Sequence, residues 1–156
     1  MARYRSARRG WYRIVNVAKF RQPLDETMQS TKAGHALYKS TLELRFMQYA
    51  DANPLVDWWA VEPFCINYVK PTDNKVHRYF PDFILHQNNK TILVEVKSYD
   101  ETQPPEAPRK LTARSKAQYY TAVQTWHINQ AKWRAAREFC KQRNIHFCIL
   151  TERDLK

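Results

Sequence analysis

The feature that most limits the fold is one strand. Residues Thr91 to Lys97 read TILVEVK, apolar or β-branched at almost every position, and the turn-forming stretch Gln87 to Lys90 (QNNK) precedes them. A run that is apolar on both of its alternating faces belongs inside a sheet, with cover above and below. It therefore asks for helices on two sides. Side chains two apart on a strand point the same way. Glu95 and Lys97 thus share one face, while Val94 and Val96 turn to the other, into apolar packing. An acid and a lysine side by side on a core strand are costly to bury, so the pair needs a reason.

The rest of the chain supplies the cover. Leu37 to Ala50 reads as a helix, with Tyr38, Leu42, Phe46 and Tyr49 on one face and Glu43 at the edge of that stripe. Asn53-Pro54 ends it. Val56 to Val69 reads as a strand, aromatic and β-branched, with Phe64, Ile66 and Tyr68 alternating. Pro71 to Lys75 (PTDNK) is a turn and Val76 to Leu85 a second strand, which QNNK joins to Thr91–Lys97 in a hairpin. Glu101 to Pro108, with three prolines, is a surface loop. A long helix follows over Ser115 to Arg143, where Trp126, Gln130, Trp133 and Arg137 recur at helical spacing. Ile145 to Leu150 is a last strand, and Thr151 to Asp154 caps a terminal turn. This order predicts an α/β fold, a mixed β-sheet flanked by helices. Residues 1–35 read as a basic and aromatic N-terminal arm ahead of a domain over 36–156. Its Tyr4, Trp11, Tyr12 and Phe20 either stack on bases or pin the arm to the body.

Charge narrows the partner. Among 156 residues, 26 Lys and Arg face 15 Asp and Glu, a formal net charge of +11. Met1 to Arg21 carries seven basic residues and no acid, and Arg109 to Arg143 carries nine against Glu138 alone. Basic flanks around an acid-bearing centre suit a chain that grips phosphates at its edges. The expected nucleic-acid contacts are Arg3, Arg5, Arg8, Arg9 and Arg13 in the arm, with Arg78, Arg109, Lys110 and Lys132 beyond it. With only two glycines, Gly10 and Gly34, the chain has neither a P-loop nor a dinucleotide fingerprint. Cys65, Cys140 and Cys148 have no C-x-x-C spacing and read as small, partly buried apolar residues rather than a disulfide framework or a zinc site. No apolar run approaches a membrane span and the charged N-terminus has no signal-peptide core, so a cytosol-like compartment is expected and no membrane partner.

The chemistry centres on Pro81-Asp82 and, after twelve intervening residues, Glu95-Val96-Lys97. Asp82 comes from the neighbouring strand and sits opposite Glu95. Two carboxylates from adjacent strands form a hard-oxygen site suited to Mg²⁺ or Mn²⁺. Lys97 is placed to orient a water or to stabilise charge on phosphate oxygens. Glu43 completes the shell from the helix. A lone strand-end Asp is usually just solvated, and an E-V-K triplet is usually a cross-strand ion pair. The combination of PD, turn, apolar strand, upstream helical Glu and basic chain is what raises the motif above that. Glu62 is either an accessory ligand or a strand-end residue paired with an arginine, the second being favoured. His77 is an acid–base candidate or a phosphate contact beside Arg78.

HRYFPDFIL followed by ILVEVK resembles the PD-(D/E)xK, or restriction-endonuclease-like, nuclease superfamily, and STLELRFM matches its helical glutamate. NQAKWRAAREFCKQRNIHFCILTERDL is similar to the closing helix and strand of its transposon-end-cleaving branch. MARYRSARRGWYRI and YADANPLVDWWAVEPF resemble the head-completion nucleases of tailed phages. The resemblance implies a metal-dependent DNA endonuclease leaving 5′-phosphate and 3′-hydroxyl ends. Its metal ligands would be Asp82, Glu95, the Val96 carbonyl and Glu43, its catalytic lysine Lys97, and Gln130 a polar helical residue aimed at the site. It further implies DNA as partner, as duplex, branch or end, together with phage head or portal proteins and a homodimer for double-strand cutting. The setting would be the host cytoplasm during phage assembly, with association to the virion. The competing readings are a non-catalytic DNA-binding component of the head or portal and, more weakly, an RNA-processing enzyme.

Overall fold

The structure is a computed structural model and describes residues 9–22 and 30–156. Arg3, Arg5 and Arg8 lie outside the described residues. The principal sheet has four strands in the order β4 (Val56–Val61), β7 (Phe83–Gln87), β8 (Lys90–Val96) and β9 (His146–Leu150). β4 with β7 and β7 with β8 pair antiparallel, and β8 pairs in parallel with β9. β8, the apolar run, is interior as its composition requires. Asn88 and Asn89, both at positive φ, make the two-residue turn that joins β7 to β8. Paired positive φ gives the primed turn whose twist matches a hairpin.

One helix covers each face. Helix α1 (Thr41–Ala52) places Leu42, Phe46, Met47 and Ala50 against Phe83, Leu85, Val94 and Val96. Helix α2 (Ala113–Lys141) places Trp133, Ala136 and Cys140 on the other face, against Ile84 and Leu93. None of the helices among the described residues is long and apolar enough to cross a membrane. The predicted mixed sheet between helices is the observed one. Cys65 departs from the expected burial and is exposed, while Cys140 is buried and Cys148 half-buried.

Several boundaries move. The predicted helix over Leu37–Ala50 starts only at Thr41, because Ser40 is extended and caps it, accepting from Glu43 N at 3.0 Å. Leu37 and Tyr38 belong instead to β3 (His35–Tyr38), which pairs with β1 (Gly10–Arg13) and β2 (Thr31–Lys32) in a small sheet. The predicted strand over Val56–Val69 is two strands, β4 and β5 (Ile66–Lys70). They are broken where Pro63 cannot donate to a ladder and Glu62 turns to φ 41°. The predicted strand over Val76–Leu85 is likewise β6 (Lys75–Tyr79) and β7, divided by Pro81. β5 and β6 form a two-stranded ribbon of their own, packed on α2.

Residues 12–16 are fastened to α1 by one buried acid. Asp51 has no accessible surface, and its carboxylate accepts from Tyr12 Oη at 2.7 Å, Val15 N at 2.7 Å and Asn16 N at 2.9 Å. Phe20 meets Trp59 edge-on, with centroids 4.8 Å apart. Of the two readings open for the arm's aromatics, Tyr12 and Phe20 take the pinning one. Trp11 stays 40% exposed with the Lys32 ammonium over its ring.

Candidate active site

β7 and β8 bring the two carboxylates together. Their register pairs Phe83 with Val94, and one step further sets Asp82 opposite Glu95. Asp82 Oδ2 accepts the Val96 N–H at 2.8 Å, and its backbone carbonyl accepts Glu62 N at 2.8 Å. The aspartate is thus held by both neighbours of its strand. Part of Asp82 remains accessible, although protein closes round the carboxyl itself. Glu95 is buried, and its Oε2 accepts the Tyr79 hydroxyl at 2.5 Å. Val94 and Val96 are buried on the opposite, α1-facing side.

Burial pushes the Asp82 carboxyl well above the usual carboxylate range, and the charges of Glu95 and Glu43 push it further, against the pull of the Val96 N–H and Lys97. Glu95 is raised by burial too, opposed by the Tyr79 hydroxyl, Lys97 and Lys132. The Trp133 indole N–H is buried and forms no hydrogen bond of proper geometry, but lies near enough to Glu95 to favour its charge. Glu43 stands in the first turn of α1. Its N–H is capped by Ser40, and its Oε2 accepts Lys39 N at 2.7 Å. Burial raises it as well, opposed by Lys39 and reinforced by Glu62 and Glu95. Three acids from three elements therefore share one field, and each makes the others harder to ionise.

Lysines surround them. Lys97 follows β8 directly, tied by its N–H to the Leu150 carbonyl at 3.0 Å. Lys132 reaches in from α2 between the Tyr68 and Tyr79 rings, 5.8 and 5.6 Å from their centroids. Burial pulls its ammonium down while Glu95 and Asp82 hold it up. Gln130 stands about 160° round α2 from Lys132, on the other flank of the buried stripe. It lines a cavity with Tyr99, Thr102 and Arg153. Glu62 pairs with Lys39, not with an arginine, and adopts a left-handed backbone beside the acids. Strain of that kind gathers at functional sites. His77 pairs with Asp73 at 2.7 Å, within the ribbon and its turn. Arg9 and Arg13 lie beside and in β1, Arg78 on the ribbon, and Arg109 and Lys110 just before α2.

Sequence reasoning missed Tyr79 as a partner of Glu95, and it placed Lys132 among outlying DNA contacts. The signal for Tyr79 was present: it lies three residues before Asp82 in HRYFPD, at the end of a strand. The signal for Lys132 was its position one residue from Trp133, on the flank of the stripe.

The donor set suits a hard divalent cation. Two carboxylates face each other in a buried place where both resist ionising without a cation, and Asp82 Oδ1 accepts no hydrogen bond among the described residues. No three His, Cys, Asp or Glu side chains converge as a ready cage among the described residues. Magnesium does not need one, since it binds through one or two carboxylates and completes its shell with water and phosphate.

Comparison with known proteins supplies the family. The family of TnsA-like endonuclease N-terminal domains matches residues 53–152, from the end of α1 past β9. The chain belongs to that family. The match takes in Asp82, Glu95 and Lys97 and stops short of Glu43. The chain is also similar to the head completion nuclease of Enterobacteria phage T4. The two are 35% identical over 120 residues, covering 76% of this chain and 80% of the phage protein. As a TnsA-like endonuclease, the chain carries its opposed acids and following lysine on the hairpin and central strand of a restriction-endonuclease-like sheet.

Proposed function

We propose that this endonuclease is a divalent-metal-dependent deoxyribonuclease, using Mg²⁺ or Mn²⁺, that acts on viral DNA in the infected host during or after packaging. The observation that carries the reading is Asp82 facing Glu95 across β7 and β8, with Lys97 following on the same strand. Asp82, Glu95 and the Val96 carbonyl would hold the metal, with Glu43 completing its surroundings. When bound, the metal supplies Lewis-acid polarisation of the phosphate and a lowered pKa for water. Asp82 is oriented for this by the Val96 N–H, and Glu95 by the Tyr79 hydroxyl. Lys97 orients the attacking water and steadies charge on the phosphate oxygens. Lys132 offsets the carboxylates' charge from the α2 side. Gln130 is the polar helical residue of the same reading. Hydrolysis leaves a 5′-phosphate and a 3′-hydroxyl.

Arg9, Arg13, Arg78, Arg109 and Lys110 contact the DNA backbone, as Arg3, Arg5 and Arg8 do in this reading. The likeness to the head completion nuclease supports a place in phage assembly. Head or portal proteins as partners, and a homodimer that cuts both strands, belong to the same proposal.

The test is cleavage of supercoiled and linear DNA with Mg²⁺ and with chelator, by the native chain and by Asp82→Ala and Lys97→Ala. Metal-dependent cutting should fall by at least about a hundredfold in each variant. Cutting that survives both substitutions sinks the assignment. DNA binding without cutting in any metal points to a structural role instead.

A further inference from the structure

We propose that the first half of α2 is an arm that binds duplex DNA and lays it along the active edge of the sheet. The proposal rests on the nuclease reading and adds where, and over what length, the DNA is held. Topology sets the direction. β8 and β9 are parallel and α2 connects them. The helix must therefore begin at the end of the sheet where Val96 pairs with Leu150 and run back to where Ile92 pairs with His146. The sheet beneath it is short: β9 has 5 residues, about 17 Å. α2 has 29 residues, about 43 Å. The surplus projects, and it does so from the end that carries Glu95 and Lys97.

Burial follows the same division. The buried residues of α2 are Asn129, Trp133, Ala136 and Cys140, and none precedes Asn129. Between Ala113 and Ala122 only Ser115 and Tyr119 are even half-buried, and Tyr120 is 65% exposed. The loop after β8 meets the middle of the helix where Gln103 and Pro105 share a cavity with Ala122 and Trp126. Yet the projecting end is firmly started. Thr112 N donates to Ser115 Oγ at 2.8 Å, and Ser115 N donates to Thr112 Oγ1 at 3.1 Å, a closed capping box. A well-formed helix with little core to cover is suited to an external partner.

Charge selects that partner. No Asp or Glu occurs between Glu106 and Glu138. Arg109, Lys110, Arg114 and Lys116 cluster at the tip, and among the described residues none of them is ion-paired. A second copy would meet this surface with like charge, whereas a phosphate backbone complements it. Lys132, farther down the same helix, continues the positive track to Glu95. Ala113 to Ile128 spans about 24 Å, or about seven base-pair steps of 3.4 Å. A helix on this scale fits along a duplex groove.

The test uses the whole chain with Asp82→Asn to silence cutting, and measures duplex binding by fluorescence anisotropy over about 50 to 200 mM salt. Arg114→Glu with Lys116→Glu should weaken binding at least about tenfold and lower the salt slope by about two. Acidic residues in a first helical turn favour the helix, so circular dichroism should be unchanged. Lys141→Glu with Lys156→Glu removes the same charge elsewhere and should change affinity less than about twofold. Equal losses in the two double variants, or unchanged binding by the arm variant, overturn the proposal. So does a dimer that the arm variant dissociates while DNA affinity holds. Cleavage by the chain with Asp82 intact reports on the nuclease reading separately, because the binding measurement needs no cutting.

Discussion

Asp82, Glu95 and Glu43 are all pushed toward the protonated form, chiefly by burial. A carboxyl raised in this way binds its proton more tightly in the folded chain than in the unfolded one. Its contribution to stability is therefore complete below the ordinary carboxylate range and is lost as pH rises through its raised value. In the metal-free protein, these groups should make stability fall from acid toward neutral pH, against the trend of an ordinary paired carboxylate. Asp82→Asn keeps an oxygen for the Val96 N–H and removes the buried charge. We expect it to raise the melting temperature of the metal-free protein at neutral pH by about 2–4 °C, a gain on the order of 1 kcal/mol. Calorimetry of both forms across pH checks this, and a lower melting temperature for the variant at neutral pH would refute it. The opposition of Asp82 to Glu95 was legible because strand alternation and a short hairpin leave little freedom in register. Tyr79 and Lys132 left only signals of position, because their contacts come from a separate ribbon and from the far helix, which strand alternation says nothing about.

At the scale of elements, Asp51 decides whether β1 and residues 14–16 after it stay on α1. Three donors converge on one carboxylate with no accessible surface, and the Asp51 carbonyl accepts Asn16 Nδ2 at 2.6 Å as well. Asp51→Ala leaves Tyr12 Oη, Val15 N and Asn16 N without partners and should cost about 3–5 kcal/mol. Denaturant unfolding measures the loss, and a cost below about 1 kcal/mol would show that water replaces the carboxylate. Nothing in the sequence marked this residue, since an acid near the end of a predicted helix reads as solvated. The strand breaks were more legible than they were read. Pro63 and Pro81 each sit inside a stretch rich in aromatic and aliphatic residues, and each lacks the N–H a ladder needs. Apolar character carried the reading across both prolines. β8 escaped that error because its run contains no proline and opens from an Asn-Asn turn.

Across the whole molecule, a net charge of +11 sets two effects of salt against each other. Self-repulsion of like charges burdens the compact state, and screening relieves it, with the Debye length falling from about 30 Å at 0.01 M to about 8 Å at 0.15 M. Monovalent salt should therefore raise the melting temperature while it weakens any DNA complex by competing for phosphates. A divalent cation at the Asp82–Glu95 pair adds a separate contribution, because binding to the folded state alone stabilises by about 2.7 kcal/mol at a hundredfold excess over its dissociation constant. For a chain of this length that is roughly 5–10 °C. The two are separable at matched ionic strength. Mg²⁺ or Mn²⁺ should raise the melting temperature of the native chain above a sodium control. Asp82→Asn should lose that increment while keeping the sodium effect, because only the local pair has changed and the general field is nearly intact. If magnesium and matched sodium act equally on the native chain, the paired carboxylates are not its metal site. The buried charge would then have to be offset by Lys97 and Lys132 alone.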